Sequence, residues 1–195
     1  KSLGAEIEVS ENSFIASAVD GLRGAKIHLR YPSVGATEST ILAAVLAKGK
    51  TTIKNAAIEP EIINLIKMLQ NMGAIIGLGT DRMIYIEGVK KLKGVRHKII
   101  ADRNEAASFA CLAVAGAKNK IKVKGAIHEH LITFLNALRR VGGEYRVEDD
   151  GIVFWRGDGL SAIELETDTH PGFMTDWQQP FTILLTQADG VSVVH

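Results

Sequence analysis

The sequence predicts an α/β protein, of the α+β kind, assembled from repeated βαβαββ units of about 70 residues. Three observations carry that expectation. First, Leu3-Gly4-Ala5-Glu6, Met72-Gly73-Ala74-Ile75 and Val141-Gly142-Gly143-Glu144 align, with their first glycines 69 residues apart each time. Second, Leu22, Leu92 and Leu160 fall 70 and 68 apart, and Thr51-Thr52-Ile53, Ile121-Lys122-Val123 and Val191-Ser192-Val193 stand at intervals of 70. Third, the stretch between marks reads the same way each time, as strand, helix, strand, helix and hairpin. Independent registers that agree this closely mark an internal repeat. The chain then holds the tail of one unit, two whole units and the first half of another.

In the first whole unit, residues 25–29 alternate apolar and polar and read as a strand. They lead into Arg30-Tyr31-Pro32-Ser33-Val34-Gly35-Ala36-Thr37. Small and aliphatic residues then run to Gly49, which predicts a buried helix over 36–47 stopped by glycine. A short Thr- and Ile-rich strand follows at 51–53. The next helix opens at Pro60, where a missing N–H costs little. Ile62, Ile63, Leu65, Ile66 and Leu69 form its apolar face, and Gly73 ends it. Residues 75–76 and 83–86 form a hairpin around Gly77-Leu78-Gly79-Thr80-Asp81. That Gly-x-Gly is followed by no helix, so it reads as a turn and not as a nucleotide fingerprint.

The second unit repeats the pattern. A strand is expected at 98–101, a helix at 105–115 and a strand at 121–123. A second helix carries Leu131, Phe134, Leu135, Leu138 and Val141 and stops at Gly142. A hairpin of 144–147 and 152–155 then closes on Glu148-Asp149-Asp150-Gly151. The last half-unit offers a strand at 162–166 and a helix over about 178–187. Lys1-Ser2-Leu3-Gly4-Ala5 resembles the end of a helix, and the other end breaks off inside a strand, as expected for an internal piece of a longer chain. An isolated unit of this kind leaves a helix face and sheet edges bare, so repeats are expected to cover one another.

Hydrophobic residues make up 46% and charged residues 23%, the balance of a globular fold. A net charge of +1 gives no overall attraction to polyanions, so no nucleic-acid partner is expected. No apolar run is long enough to span a bilayer and no signal peptide is seen, which points to no membrane partner and a cytoplasmic location. Cys111 has no second cysteine to pair with. Set in the small apolar stretch 106–115, it reads as a packed core thiol and not as a nucleophile.

Chemistry is expected at the three strand-to-helix junctions, because equivalent positions carry different polar groups. They are Tyr31-Pro32-Ser33-Val34-Gly35, Ala101-Asp102-Arg103-Asn104-Glu105 and the longer Thr169-His170-Pro171-Gly172-Phe173-Met174-Thr175-Asp176. Ser33 to Gly35 has two readings that spacing does not separate. Ser33 is a helix cap with glycine for a tight turn, or the unpaired N–H groups hold a phosphate or diphosphate. Asp102-Arg103 reads by itself as a cap with a surface ion pair, and Asp176 as a cap or as a catalytic carboxylate. His128-Glu129-His130 has the look of a metal pair, but side chains two apart at a helix start diverge and no third ligand is evident, so no metal is expected.

Taken together, Tyr31 to Glu38, Asn55-Ala56-Ala57-Ile58-Glu59-Pro60-Glu61-Ile62, Gly79-Thr80-Asp81-Arg82, Ile86-Glu87-Gly88-Val89, Asp102-Arg103-Asn104-Glu105-Ala106 and His170 to Asp176 resemble the enolpyruvyl transferase family, in its UDP-N-acetylglucosamine branch. The resemblance runs in order over essentially the whole chain. It implies an inside-out α/β barrel fold of two domains, each of three βαβαββ units, with the active site in the cleft between them. It puts the domain crossover near Ile100, so that 1–100 is the later part of one domain and 101–195 the first part of the other.

The resemblance further implies transfer of the enolpyruvyl group of phosphoenolpyruvate to the 3-hydroxyl of UDP-N-acetylglucosamine, the first committed step of peptidoglycan synthesis, with no cofactor. By resemblance, Tyr31, Pro32, Ser33, Val34 and Gly35 contact the UDP moiety, partly through backbone N–H. Thr175 and Asp176 bind substrate, and Asp176 accepts the proton of the sugar hydroxyl. Glu59, Asp102 and Arg103 match positions near the cleft. The family's cysteine loop, its Lys-Asn pair and its phosphate-binding arginines match nothing in this chain, and Cys111 does not match that cysteine. The chain is therefore expected to be an inactive fragment whose partner is the remainder of the parent chain. Trp177-Gln178-Gln179-Pro180 replaces the family's commoner Met-Gln-Ala-Gln, and Pro180 is expected to shift the start of the helix. Two alternatives remain: a non-catalytic module that binds a nucleotide-sugar, and a related enolpyruvyl transferase with another acceptor.

Overall fold

In the computed structural model of the chain, which describes residues 1–116 and 118–195, the glycine and leucine marks of the repeat meet in space. Gly4, Gly73 and Gly142 all take positive φ, at 88°, 101° and 105°, where a side chain would be strained. The carbonyl just before each glycine accepts an N–H from the residue just after the repeat's leucine. Arg23 donates to Leu3 at 2.8 Å, Lys93 to Met72 at 2.9 Å and Ser161 to Val141 at 2.9 Å. Two of the sequence registers are thus the two sides of one recurring hydrogen bond.

The described residues divide into two compact units, Lys1–Ile99 and Ile100–His195. In the first, β1 (Glu6–Val9) and β2 (Phe14–Ser17) pair as an antiparallel hairpin. A complete βαβαββ unit follows: β3 (Lys26–His28), α1 (Val34–Ala44), β4 (Lys50–Lys54), α2 (Pro60–Asn71), β5 (Ile75–Leu78) and β6 (Ile84–Glu87). Its sheet order is β3-β4-β6-β5, with β3 parallel to β4 across α1 and the other pairs antiparallel. The parallel pair requires a crossover, which α1 supplies. Ile62, Ile66 and Leu69, spaced at helical intervals on α2, lie on the sheet with Ile41, Val45, Ile53, Ile84 and Ile86.

The second unit begins with α3 (Arg103–Ala115), β7 (Ile121–Lys124), α4 (Ile132–Val141), β8 (Gly143–Glu148) and β9 (Gly151–Arg156). Its sheet order, β7-β9-β8, is that of β4-β6-β5. The final half-unit is β10 (Glu164–Leu165), α5 (Gln178–Leu185) and β11 (Val193–Val194), with β10 parallel to β11 just as β3 is to β4. Ala106, Ala107, Ala110 and Ala113 are buried on α3, and their small side chains let it pack closely on β9 and α5.

Two expectations need correction. No strand forms at 98–101. The division between units falls at Ile99 and Ile100, so this stretch is the connection and the equivalent of β3 is not laid beside β7. The first helix ends at Ala44 and is not buried all round: Leu42 and Leu46 are exposed. Phe109 and Leu112 on α3 and Ile183 on α5 are exposed as well, the bare helix faces expected of repeats of this kind. Among the described residues no helix is long and apolar enough to cross a membrane.

Candidate functional site

At the first junction, Ser33 is the N-cap of α1, in extended backbone at φ −78° and ψ 125°. Its hydroxyl accepts the N–H of Ala36 at 3.3 Å. The N–H groups of Val34 and Gly35, at the first two positions of the helix, have no carbonyl within it to bond. A side chain at Gly35 would meet nothing within 4 Å, so open space stands over that backbone. Tyr31 is exposed beside it. The cap reading of Ser33 and the geometry needed for an anion therefore coexist, since capping uses only one of the orphan donors.

Thr37, fully buried, fixes this turn to its surroundings. Its hydroxyl donates to the carbonyl of Ser33 at 2.7 Å and accepts the N–H of Ala57 at 2.9 Å. The junction is thereby tied to the loop before α2, whose N-cap position is Glu59. Glu59 is buried, and its side chain makes no capping bond. Asn55 in the same loop takes φ 55° and donates to the carbonyl of Leu29 at 3.1 Å, closing the loop against the strand.

At the second junction Asp102 caps α3, accepting the N–H groups of Asn104 at 2.7 Å and Glu105 at 3.4 Å. The cap part of the sequence reading holds. The surface part does not: Arg103 is 5% exposed, and its guanidinium carbon sits 5.4 Å from the centre of the Trp177 ring. A planar, weakly hydrated cation can be buried against an aromatic face where an ammonium could not.

The third junction is a loop pinned by aromatics. The N–H of Asp168 bonds the carbonyl of Phe173 at 2.8 Å, and a side chain at Gly172 would lie 2.6 Å from the Cβ of Asp168. Phe173, Trp177 and Phe181 pack around Phe134 of α4 with ring centres 5.1–6.2 Å apart. Thr175, Asp176 and Trp177 form a single 3-10 turn ahead of α5. Pro180 is the third residue of α5, where its missing N–H would have no partner anyway, so the helix starts undisturbed at Gln178. Neither the turn nor α5 has a side-chain cap bond, so Asp176 is not the cap that one reading made it. It is exposed, and its Oδ2 is 3.4 Å from the amide nitrogen of Asn104.

The structure thus joins the second and third junctions within one unit, through Asn104 and Arg103, and gives the first its own anchoring through Thr37. Sequence reading assigned no role to Asn104, Thr37 or Trp177. An indole N–H that must find an acceptor when buried was the available signal for the Trp177 contact.

Elsewhere the candidate chemistry falls away. His128 to His130 form a short 3-10 turn of their own before α4, and among the described residues no group of three or more His, Cys, Asp or Glu could hold a metal. Cys111 is buried, and burial pushes its thiol up to about 12, which keeps it inert near neutral pH. A cavity of about 680 Å³ lies in the first unit between the β1–β2 hairpin and α1, lined by Leu3, Ile7, Ala16 and Ala43 among others. It holds none of the candidate residues and reflects the uncovered face of α1.

This fold of βαβαββ repeats is shared by solved enolpyruvyl transferases. A family model described as EPSP synthase (3-phosphoshikimate 1-carboxyvinyltransferase) matches residues 1–195, and the chain belongs to that enolpyruvyl transferase family. The branch drawn from the motifs also holds. The chain is 54% identical to a UDP-N-acetylglucosamine 1-carboxyvinyltransferase of Protochlamydia amoebophila, matching 99% of this chain and 42% of the relative. It is 53% identical to that of Chlamydia muridarum, over 100% of this chain and 44% of the relative. It is 46% identical to UDP-N-acetylglucosamine 1-carboxyvinyltransferase 1 of Staphylococcus aureus, over 100% and 46%. The chain therefore spans less than half the length of these curated relatives. Among solved structures, the enolpyruvyl transferase NikO of Streptomyces tendae superposes with a TM-score of 0.88 at 19% identity, over 99% of this chain and 48% of that one. EPSP synthase of Acinetobacter baumannii follows at 0.63 and 18%, over 98% and 45%. At those identities the likeness speaks for the fold.

Proposed function

We propose that this chain is part of a cytoplasmic enzyme that transfers the enolpyruvyl group of phosphoenolpyruvate to the 3-hydroxyl of UDP-N-acetylglucosamine, the first committed step of peptidoglycan synthesis and so a step in cell-wall growth and division. The observation that carries the reading is Asp176, an exposed carboxylate on a strand-to-helix turn that caps no helix, in a chain 46–54% identical to relatives named for this reaction. Residues 1–100 are then the later part of one enolpyruvyl transferase domain and 101–195 the first part of the other.

In this reading the sugar hydroxyl oxygen bonds C2 of phosphoenolpyruvate as its proton passes to Asp176 and a general acid outside this chain protonates C3. Loss of a C3 proton then restores the double bond as the C2–O bond breaks and phosphate leaves. A carboxylate within hydrogen-bond reach of the hydroxyl serves as general base. Thr175 contacts the substrate beside it. Tyr31, Pro32, Ser33, Val34 and Gly35 receive the UDP moiety, with the N–H groups of Val34 and Gly35 on the diphosphate. Glu59 forms a wall of that site, held near Ser33 by the Thr37 bridge, while Asp102 and Arg103 support the Asp176 turn.

The experiment is phosphate release. The full-length protein carrying this chain should release phosphate from phosphoenolpyruvate when UDP-N-acetylglucosamine is present. Release only with 3-phosphoshikimate would transfer the protein to the other branch. The present chain alone should stay at background with either acceptor, because it matches none of the family's cysteine loop or phosphate-binding arginines. Clear turnover by it would overturn the placement of the site.

Gly35 offers a sharper check on the diphosphate. Gly35→Ala has room, since nothing lies within 4 Å of the added carbon. Removing glycine from a helix should raise stability by about 0.5–1 kcal/mol. The added methyl would occupy the space a diphosphate needs, so UDP-N-acetylglucosamine should bind the full-length protein at least about tenfold more weakly, roughly 1.4 kcal/mol. Calorimetric titration showing unchanged affinity in a more stable variant would remove the anion role from this turn.

A further inference from the structure

We infer that Asn104 is a positioning residue that sets the direction of the Asp176 carboxylate, with Trp177 fixing which way the Asn104 amide faces. The inference rests on the reading of Asp176 as the base.

Every polar atom of Asn104 is engaged. Its backbone N–H donates to the Asp102 carboxylate at 2.7 Å, and its carbonyl accepts the Ser108 hydroxyl at 2.9 Å. Its side-chain oxygen accepts the Trp177 indole N–H at 2.9 Å, and its side-chain nitrogen reaches Asp176 Oδ2 at 3.4 Å. An indole nitrogen can only donate, so it must face the amide oxygen. That choice turns the NH₂ group towards the carboxylate. Trp177 is itself immobile: it is 1% exposed, packed edge-on against Phe134 and Phe173, and covered by Arg103. The line of constraint therefore runs from the aromatic core through the indole and the amide to the carboxylate. Asp176 lies on an exposed turn with no cap bond, so without Asn104 its rotamer is set by little else that the structure shows. A base held loosely loses much of its effectiveness, because small displacements of a reacting group are costly.

Three variants of the full-length protein test this. Asn104→Leu removes both side-chain bonds and should lower kcat about 10- to 100-fold, with KM for UDP-N-acetylglucosamine changed less than about threefold. Asn104→Asp keeps an acceptor for the indole, and with it the packing of Trp177, but turns a second carboxylate on Asp176. It should melt like the unaltered protein and still lose kcat to a similar degree. A purely structural role would be rescued by Asn104→Asp, so normal kcat in that variant would overturn the inference. Asp176→Asn is the reference. If it loses kcat while both Asn104 variants keep theirs, Asp176 is the base and Asn104 does not position it. If Asp176→Asn itself keeps normal kcat, the base reading falls and this inference falls with it.

Discussion

Asp176→Asn in the full-length protein should lower kcat by a factor of about 10² to 10⁴, the usual worth of general base catalysis. The amide keeps the size and part of the hydrogen bonding of the carboxylate but cannot take a proton. UDP-N-acetylglucosamine should bind nearly as before, because the amide still meets the hydroxyl. A change confined to KM would instead mean uniform binding, with Asp176 only holding the sugar. The melting temperature should hardly move. Asp176 is exposed and caps neither the 3-10 turn nor α5, so the loss of a cap, worth about 0.5–2 kcal/mol, does not arise. Steady-state kinetics, a binding titration and a thermal melt on one preparation decide the matter. A variant with near-normal kcat would refute the assignment.

The largest effect on stability should come from Phe134→Ala. Phe134 is fully buried in the core of the second unit and packs against Phe173, Trp177 and Phe181. Removing a large buried ring and leaving its cavity typically costs about 3–5 kcal/mol. Each aromatic pair that Phe134 forms adds about 0.5–1.5 kcal/mol at most. The destabilisation should appear in urea unfolding followed by tryptophan emission, since Trp177 lies against the vacated space. Activity should fall as well, because Phe134 supports the turn that carries Asp176. Phe134→Leu, which refills part of the volume, should recover much of both. A Phe134→Ala variant less than about 1 kcal/mol weaker would mean that α4 and the loop at Phe173 close over the gap, and that the cluster is less rigid than its packing indicates.

Much of this architecture is legible in the sequence. The repeat was legible because its marks are residues with a backbone duty: Gly4, Gly73 and Gly142 occupy a left-handed turn that few other residues tolerate. Helix ends were legible for the same kind of reason, with Pro60 opening α2 and Ser33 and Asp102 capping α1 and α3. The hairpin around Glu148 to Gly151 followed from turn chemistry, and there the Lys122 ammonium bonds both Glu148 and Asp150, holding their carboxyls below the usual range. The polar turns at the junctions stand out because they break the repeat, and the chemistry proposed for them comes from the resemblance their motifs carry.

What the sequence does not show locally are contacts between distant residues. The strand expected at 98–101 stands where the repeat places one, but a strand exists only where a second strand meets it, and this stretch is the connection between units. Arg103 looked like a surface residue because a charge is ordinarily solvated, and nothing local shows that the face of Trp177 will cover it. Asn104 stands out in the sequence only as part of its junction, because its partners are 72 and 73 residues away. The sequence by itself determined what depends on a residue and its near neighbours: the period, the caps, the turns and the apolar faces. Only the tertiary structure decided which side chains from different repeats meet, because those meetings follow from how α3, α4 and α5 pack and not from any spacing along the chain.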